Sequence, residues 1–187
     1  MLRLITDKHG QTIAVLKHDT HISRWVEECG ELCHDRTVPQ RILPLLKPGD
    51  HVVDAGANIG THTVAYSAAV GPSGKVFAFE PMPWSFAALV VNTRDCMNVQ
   101  CYHEALGDFD GEINWLKVNP NAGATRMMVL DDPEASDVRS IVCCLDRRKL
   151  EHCNFIKFDV EGSEPDALRG AKGTIRDHRP IVLCEIN

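Results

Sequence analysis

The segment Val52-Val53-Asp54-Ala55-Gly56-Ala57-Asn58-Ile59-Gly60 joins an apolar run to a glycine-rich stretch, which reads as a buried strand opening through a loop into a helix. Glycines let a ligand approach the backbone, and the free amides of the following helix favour negative charge. A dinucleotide-binding fingerprint wants glycine where Asn58 stands, so the spacing argues against NAD and a nucleotide-dependent oxidoreductase. Glu80 ends the next apolar run. In a parallel sheet, Asp54 and Glu80 both emerge at the carboxyl edge, where a carboxylate can accept two hydrogen bonds from ribose hydroxyls.

A second cluster is Phe155-Ile156-Lys157-Phe158-Asp159-Val160-Glu161-Gly162-Ser163-Glu164. Lys157 and Asp159 lie two residues apart and share one face of their strand. Asp159, Glu161 and Glu164 are candidates for the general base that removes a hydroxyl proton, or for a divalent-cation site. Glu161 as a helix cap and Glu164 as a first-turn acid are the structural alternatives. His62 is a candidate proton acceptor, weighed against a bystander on a helix surface. Trp84, Trp115 and Arg126 are candidates to shape an acceptor site, with core packing the alternative for the tryptophans. Cys29, Cys33 and His34 form a tight group, but no matching second pair completes a tetrahedral zinc set.

The elements that must position these residues follow from turn signals and periodicity. Residues 1–46 read as an N-terminal cover, with a hairpin over Leu2 to Leu16 turning at Lys8-His9-Gly10 and a helix over Ile22 to Leu32. Residues 47–187 alternate strands and helices, the pattern of a mostly parallel α/β sheet with helices on both faces. Strands are predicted at His51 to Asp54, Lys75 to Phe79, Val99 to His103, Ser140 to Leu145, Phe155 to Asp159 and Ile181 to Glu185. Helices are predicted at Thr61 to Val70, Trp84 to Cys96 and Pro165 to Asp177. In the second, Phe86, Leu89, Val90 and Thr93 share a face. Ile113 to Val118 and Arg126 to Leu130 read as an inserted hairpin.

Composition sets the outer limits. The 187 residues are 44% apolar and 25% charged with a formal charge of -6, which fits one folded domain and no basic stripe for nucleic acid. The start lacks a signal-peptide pattern and no stretch has the length of a membrane span, so a cytoplasmic protein is expected. The eight cysteines read as mostly buried thiols.

Taken together, the Asp54–Gly60 loop, Phe79-Glu80-Pro81 and the Phe155–Glu164 segment resemble the FkbM-type methyltransferases, along with Leu145-Asp146 and Gly170-Ala171. The resemblance implies a Rossmann-like, doubly wound fold, S-adenosylmethionine as methyl donor, and O-methylation of a hydroxyl on a small molecule or glycan. It implies that Asp54, Gly56, Asn58 and Gly60 line the methionine and ribose side, that Glu80 holds the ribose, and that Ala105, Leu106 and Asp108 flank the adenine. Asp159 and Glu161 would then sit beside the reacting methyl. A catalytically inactive binding module on the same fold is the rival. The resemblance implies a further helix and an antiparallel strand pair beyond the last predicted strand, so the sequence is expected to be either a portion of a longer one or a minimal version whose sheet edge is covered in another way. Ile181 to Ile186, read as a strand buried on both faces, would then present an open edge, and self-association as a two-fold dimer is expected.

Overall fold

A computed structural model describes residues 2–17, 19, 21–32, 38–115 and 138–185. Its centre is a five-stranded sheet of β3 (His51–Ala55), β4 (Lys75–Phe79), β5 (Val99–Tyr102), β9 (Phe155–Phe158) and β10 (Ile181–Cys184). The order is β10-β9-β3-β4-β5 and every pairing is parallel. β3 is buried along its whole length, as a central parallel strand covered on both faces must be, and its sequence is correspondingly apolar without alternation.

Alternate residues of each strand meet different helices. Val52, Val76 and Phe155 pack on Tyr66 and Val70 of α2 (Thr61–Val70). Val53, Phe77 and Ile156 face the other way, onto Ala167 of α4 (Glu164–Gly170) and Ala171 just beyond it. Asp54 and Lys157 therefore sit on the α2 side, buried among apolar neighbours. On α3 (Pro83–Asn92), Ser85, Ala88 and Leu89 are buried, with Thr93 just beyond its end. Val90 is 45% exposed, so the expected face was drawn one position too wide on that side.

The N-terminal segment forms a third layer. β1 (Leu2–Thr6) and β2 (Thr12–Leu16) make the expected antiparallel hairpin, followed by α1 (Ile22–Cys29). Ile13, Val15, Leu16 and Val26 are buried in a cluster that also takes in Ala88 of α3 and Ile59 of the glycine loop. Each such side chain contributes about 1.5–3 kcal/mol. Asn92 fixes the register: its amide exchanges hydrogen bonds with the Ala14 backbone at 2.7 and 2.9 Å and donates to the Ile59 carbonyl at 2.7 Å. The cover thus grips the glycine loop from behind.

The long last helix and the doubly buried last strand are two expectations corrected here, after the sheet that follows β5. β7 (Gly111–Trp115) pairs antiparallel with β8 (Val138–Cys143), and β8 also pairs in parallel with β6 (Glu104–Leu106). β7, in the first arm of the expected inserted hairpin, thus belongs to a separate three-stranded sheet, and the second arm, Arg126 to Leu130, lies outside the described residues. The helix predicted over Pro165 to Asp177 is two: α4, then α5 (Lys172–His178). Asp146 explains the break, since its carboxylate accepts from Gly173 N, Thr174 N and Thr174 Oγ1 at 2.7, 2.7 and 2.8 Å, starting a new helix there. Gly170 closes α4 where any β-carbon would lie 1.8 Å from the Gly107 carbonyl oxygen. β10 has neighbours on one side among the described residues, and Ile181 and Val182 are 46% and 38% exposed. The strand expected to be buried on both faces is partly open.

Candidate active site

Strand order reverses between β3 and β9, because the chain leaves β3 toward β4 and β5 on one side and returns through β9 and β10 on the other. A crevice opens at the carboxyl ends of strands where such a reversal occurs. Asp54, Glu80, Asp159 and Glu185 close or follow the four strands β3, β4, β9 and β10 around that point.

The glycine loop is built by close approach. Gly56 N and Ala57 N both donate to the Phe79 carbonyl at 3.0 Å, tying the loop to the end of β4. Gly56 has φ +79°, and a β-carbon there would lie 1.8 Å from the Asp159 carbonyl oxygen, so only glycine lets the ends of β3 and β9 meet. Asn58 also adopts a left-handed backbone, φ 51°, which asparagine tolerates better than most residues. Gly60 begins α2, and its open side faces Leu89 and Thr93 of the neighbouring helix region.

Asp54 is completely buried. Its Oδ2 accepts from Thr63 Oγ1 at 2.6 Å, and its Oδ1 lies 3.3 Å from Lys157 Nζ. Lys157 Nζ also reaches the Gly56 carbonyl at 3.2 Å and Asp159 Oδ2 at 3.2 Å. Burial pulls the Lys157 ammonium down, but the Asp54 and Asp159 carboxylates outweigh it and hold Lys157 above the usual lysine range. Burial pushes Asp159 up, yet the Lys157 charge prevails and holds it below the usual carboxylate range. Asp54 therefore serves the loop from beneath, through Lys157.

Glu80 is wired differently. Its Oε2 accepts from Asn58 N at 2.9 Å and its Oε1 from Met82 N at 2.8 Å. A carboxylate oxygen accepts two hydrogen bonds, so each keeps a further acceptor position. Burial pushes the Glu80 carboxyl up to about 7, partly opposed by those two amides. Beside it, Asn58 Oδ1 is buried with no hydrogen-bond partner among the described residues. An unpaired buried acceptor is costly, and a ligand carrying hydroxyl or amine donors would satisfy it. Met82 packs with Ala105, Ile113 and Val142, with Trp84 against the same cluster, forming an apolar wall next to Glu80.

The other predicted residues fall in distinct places. Ala105 joins the Met82 wall, whereas Leu106 points into the main core beside Phe79 and Leu145. Asp108 is bound to Arg169 Nε at 2.9 Å on the surface. Glu161 has φ 53° in the turn after β9, and its charge acts on Glu185. Glu164 turns back on that turn, its Oε1 accepting from Val160 N and Gly162 N at 3.0 and 3.2 Å. His62, in the first turn of α2, acts electrostatically on Asp159 and has its ring 6.1 Å from Tyr66. The Trp115 side chain, Arg126, Cys33 and His34 lie outside the described residues. Among the described residues no three His, Cys, Asp or Glu side chains group to hold a metal ion, and the expectation of a divalent cation gains no support. No helix among them is long and apolar enough to cross a membrane.

Sequence reading put Lys157 on the face of Asp159 without assigning it a role, and missed Glu185 and Thr63. The role of Lys157 could have been found, because a lysine inside Phe-Ile-Lys-Phe must be buried and needs a counter-ion. Glu185 ends its strand as Asp54 and Glu80 end theirs. Thr63 carries no distinguishing signal.

The sequence matches the Methyltransferase FkbM domain over residues 54–187. It is 24% identical over 163 residues to 2-O-methyltransferase NoeI of Sinorhizobium fredii, covering 77% of this chain and 67% of that protein. It is 27% identical over 158 residues to hexuronic acid methyltransferase AglP of Haloferax volcanii, covering 84% and 64%. The chain thus spans about two thirds of the length of these curated relatives. The crystal structure of methyltransferase FkbM from Methylobacillus flagellatus superposes with a TM-score of 0.57 at 22% identity, covering 79% of this chain and 36% of that one. The doubly wound fold agrees with that likeness, and the match over residues 54–187 shows that the chain belongs to the FkbM methyltransferase family.

Proposed function

We propose that the chain is an S-adenosylmethionine-dependent O-methyltransferase acting on a hydroxyl of a glycan or other small molecule. The carrying observation is Glu80, a buried carboxylate fixed by the amides of Asn58 and Met82 with acceptor positions to spare. Two hydroxyls of a ribose match such a group. Asn58 Oδ1 and the Met82–Ala105 wall supply a further polar acceptor and an apolar surface for the rest of a nucleoside. Asp54 and Asp159 together bring two carboxylates to the single ammonium of Lys157. That excess of negative charge favours a cationic ligand over a pyrophosphate.

The donor, when bound, supplies an electrophilic methyl group. This chain's residues do the rest. Lys157 holds the Asp159 carboxyl below the usual carboxylate range at the mouth of the crevice, where it can accept a hydrogen bond from an acceptor hydroxyl and orient it. Positioning of that kind supplies much of the rate in a displacement. Glu161, on the same turn, is proposed as a further contact to the acceptor. The likeness to NoeI, a 2-O-methyltransferase, supports transfer to oxygen, and the likeness to AglP, a hexuronic acid methyltransferase, supports a sugar as the target class.

The test is a screen of hydroxylated glycans with isotopically labelled S-adenosylmethionine, read by mass spectrometry. A donor-dependent gain of one methyl group in place of a hydroxyl hydrogen is expected. Donor binding without any transfer would favour the binding-module reading instead.

A further inference from the structure

The turn after β9 holds a carboxyl pair. β9 and β10 run in register, Cys184 opposite Phe158, and the ladder continues one step as Glu185 N donates to the Phe158 carbonyl at 3.0 Å. Glu185 is thereby set beside Asp159, close enough for the two carboxyl groups to share a hydrogen bond. Two carboxylates cannot hydrogen-bond without a proton between them. Asp159 is anchored on its other side by Lys157 Nζ at 3.2 Å, while Glu185 is exposed.

We infer that Glu185 is a positioning residue that shares one proton with Asp159, so that loss of this proton arms the pair to take the proton of the acceptor hydroxyl. The inference rests on the methyltransferase reading above. In the reaction the acceptor's O–H bond breaks and its proton passes to the carboxyl pair. The oxygen's electrons form the new bond to the methyl carbon, and the electrons of the methyl–sulfur bond stay on sulfur as a neutral thioether. The exposed Glu185 then returns the proton to water.

The groups around the pair set its titration. Facing Glu185 are Asp159, Glu161 and Lys157, and facing Asp159 are Lys157, Glu185 and His62. Glu164 acts on the adjacent Cys184, and Asp54 lies behind Lys157. The hydrogen bond to Asp159, that residue's charge, and burial together push Glu185 up to about 7, with Lys157 opposing. A shared proton is therefore present below neutrality and absent above it.

Carboxyl ¹³C NMR titration of the donor-free chain tests this without turnover. One near-neutral carboxyl titration should vanish in Glu185→Gln and move to the ordinary acidic range in Asp159→Asn. Persistence of every near-neutral titration in Glu185→Gln, or none assigned to Glu185 in the wild type, overturns the inference. Kinetics give the second arm: wild-type turnover should climb about tenfold per pH unit below the titration, and Glu185→Gln should lose that slope. An unchanged slope in Glu185→Gln also overturns it. If the chain fails to bind S-adenosylmethionine while the NMR titration behaves as stated, the methyltransferase reading fails and the carboxyl pair stands.

Discussion

Asp54 and Glu80 close adjacent parallel strands, both buried, yet the structure uses them in opposite ways. At the end of β3 the carboxylate faces α2 and is consumed by Thr63 and Lys157. At the end of β4 its hydrogen bonds among the described residues come from backbone amides of its own and the neighbouring loop. The side chains that arrive from other elements decide whether a strand-end acid becomes scaffold or receptor. Asp54 is neutralised because β9 delivers a lysine two residues before its own terminal acid. Glu80 has no ion-pair partner among the described residues, feels Lys157 only at a distance, and is left for what binds to complete.

The largest effect expected is at the loop that joins the two ends. Gly56→Ala would press a methyl group into the Asp159 carbonyl, 1.8 Å from where its carbon must go, at a positive φ. Soluble expression and circular dichroism should show loss of the native fold or of all ligand binding. A stable variant that binds normally would mean that β3 and β9 do not meet as described.

Lys157→Met addresses the scaffold half of the comparison. It leaves Asp54 buried without a counter-ion and should cost about 3–5 kcal/mol in urea unfolding, as removal of one partner from a buried pair does. Adding Asp54→Asn to Lys157→Met should recover part of that loss. A cost below about 1 kcal/mol would show that Asp54 is not held in place by Lys157.

Glu80→Gln addresses the receptor half through pH. The folded carboxyl sits at about 7 against an ordinary value of 4.5, so the native state binds the extra proton between those values. Stability tied to Glu80 is full below about 4.5 and is lost as pH rises through about 7. Wild type should therefore lose up to roughly 3 kcal/mol relative to Glu80→Gln from pH 4.5 to 8. Parallel stability profiles for the two proteins would remove Glu80 from the buried environment.

Much of this was legible in the residues themselves. The strand and helix of Val52 to Val70, Lys75 to Phe79 and the N-terminal hairpin follow from apolar runs broken at glycine and proline, and Glu80 stood out by ending its strand. The split between α4 and α5 was hidden because its cause, Asp146, is remote in sequence. The pairing of β7 with β8 was hidden for the same reason, since local pattern reports a strand and not its partner. Glu185 was passed over because its meaning depends on the register of β10 against β9, which no single segment encodes.

The central claim is that Glu80 is a receptor for the donor's hydroxyls, and calorimetric titration of S-adenosylmethionine tests it most directly. At pH 8, where the carboxyl is ionised, Glu80→Ala should weaken binding by about 1–3 kcal/mol, roughly five- to 150-fold, with the fold intact and no binding of NAD by either protein. Equal affinity in wild type and variant, or tight binding of NAD, would contradict the account.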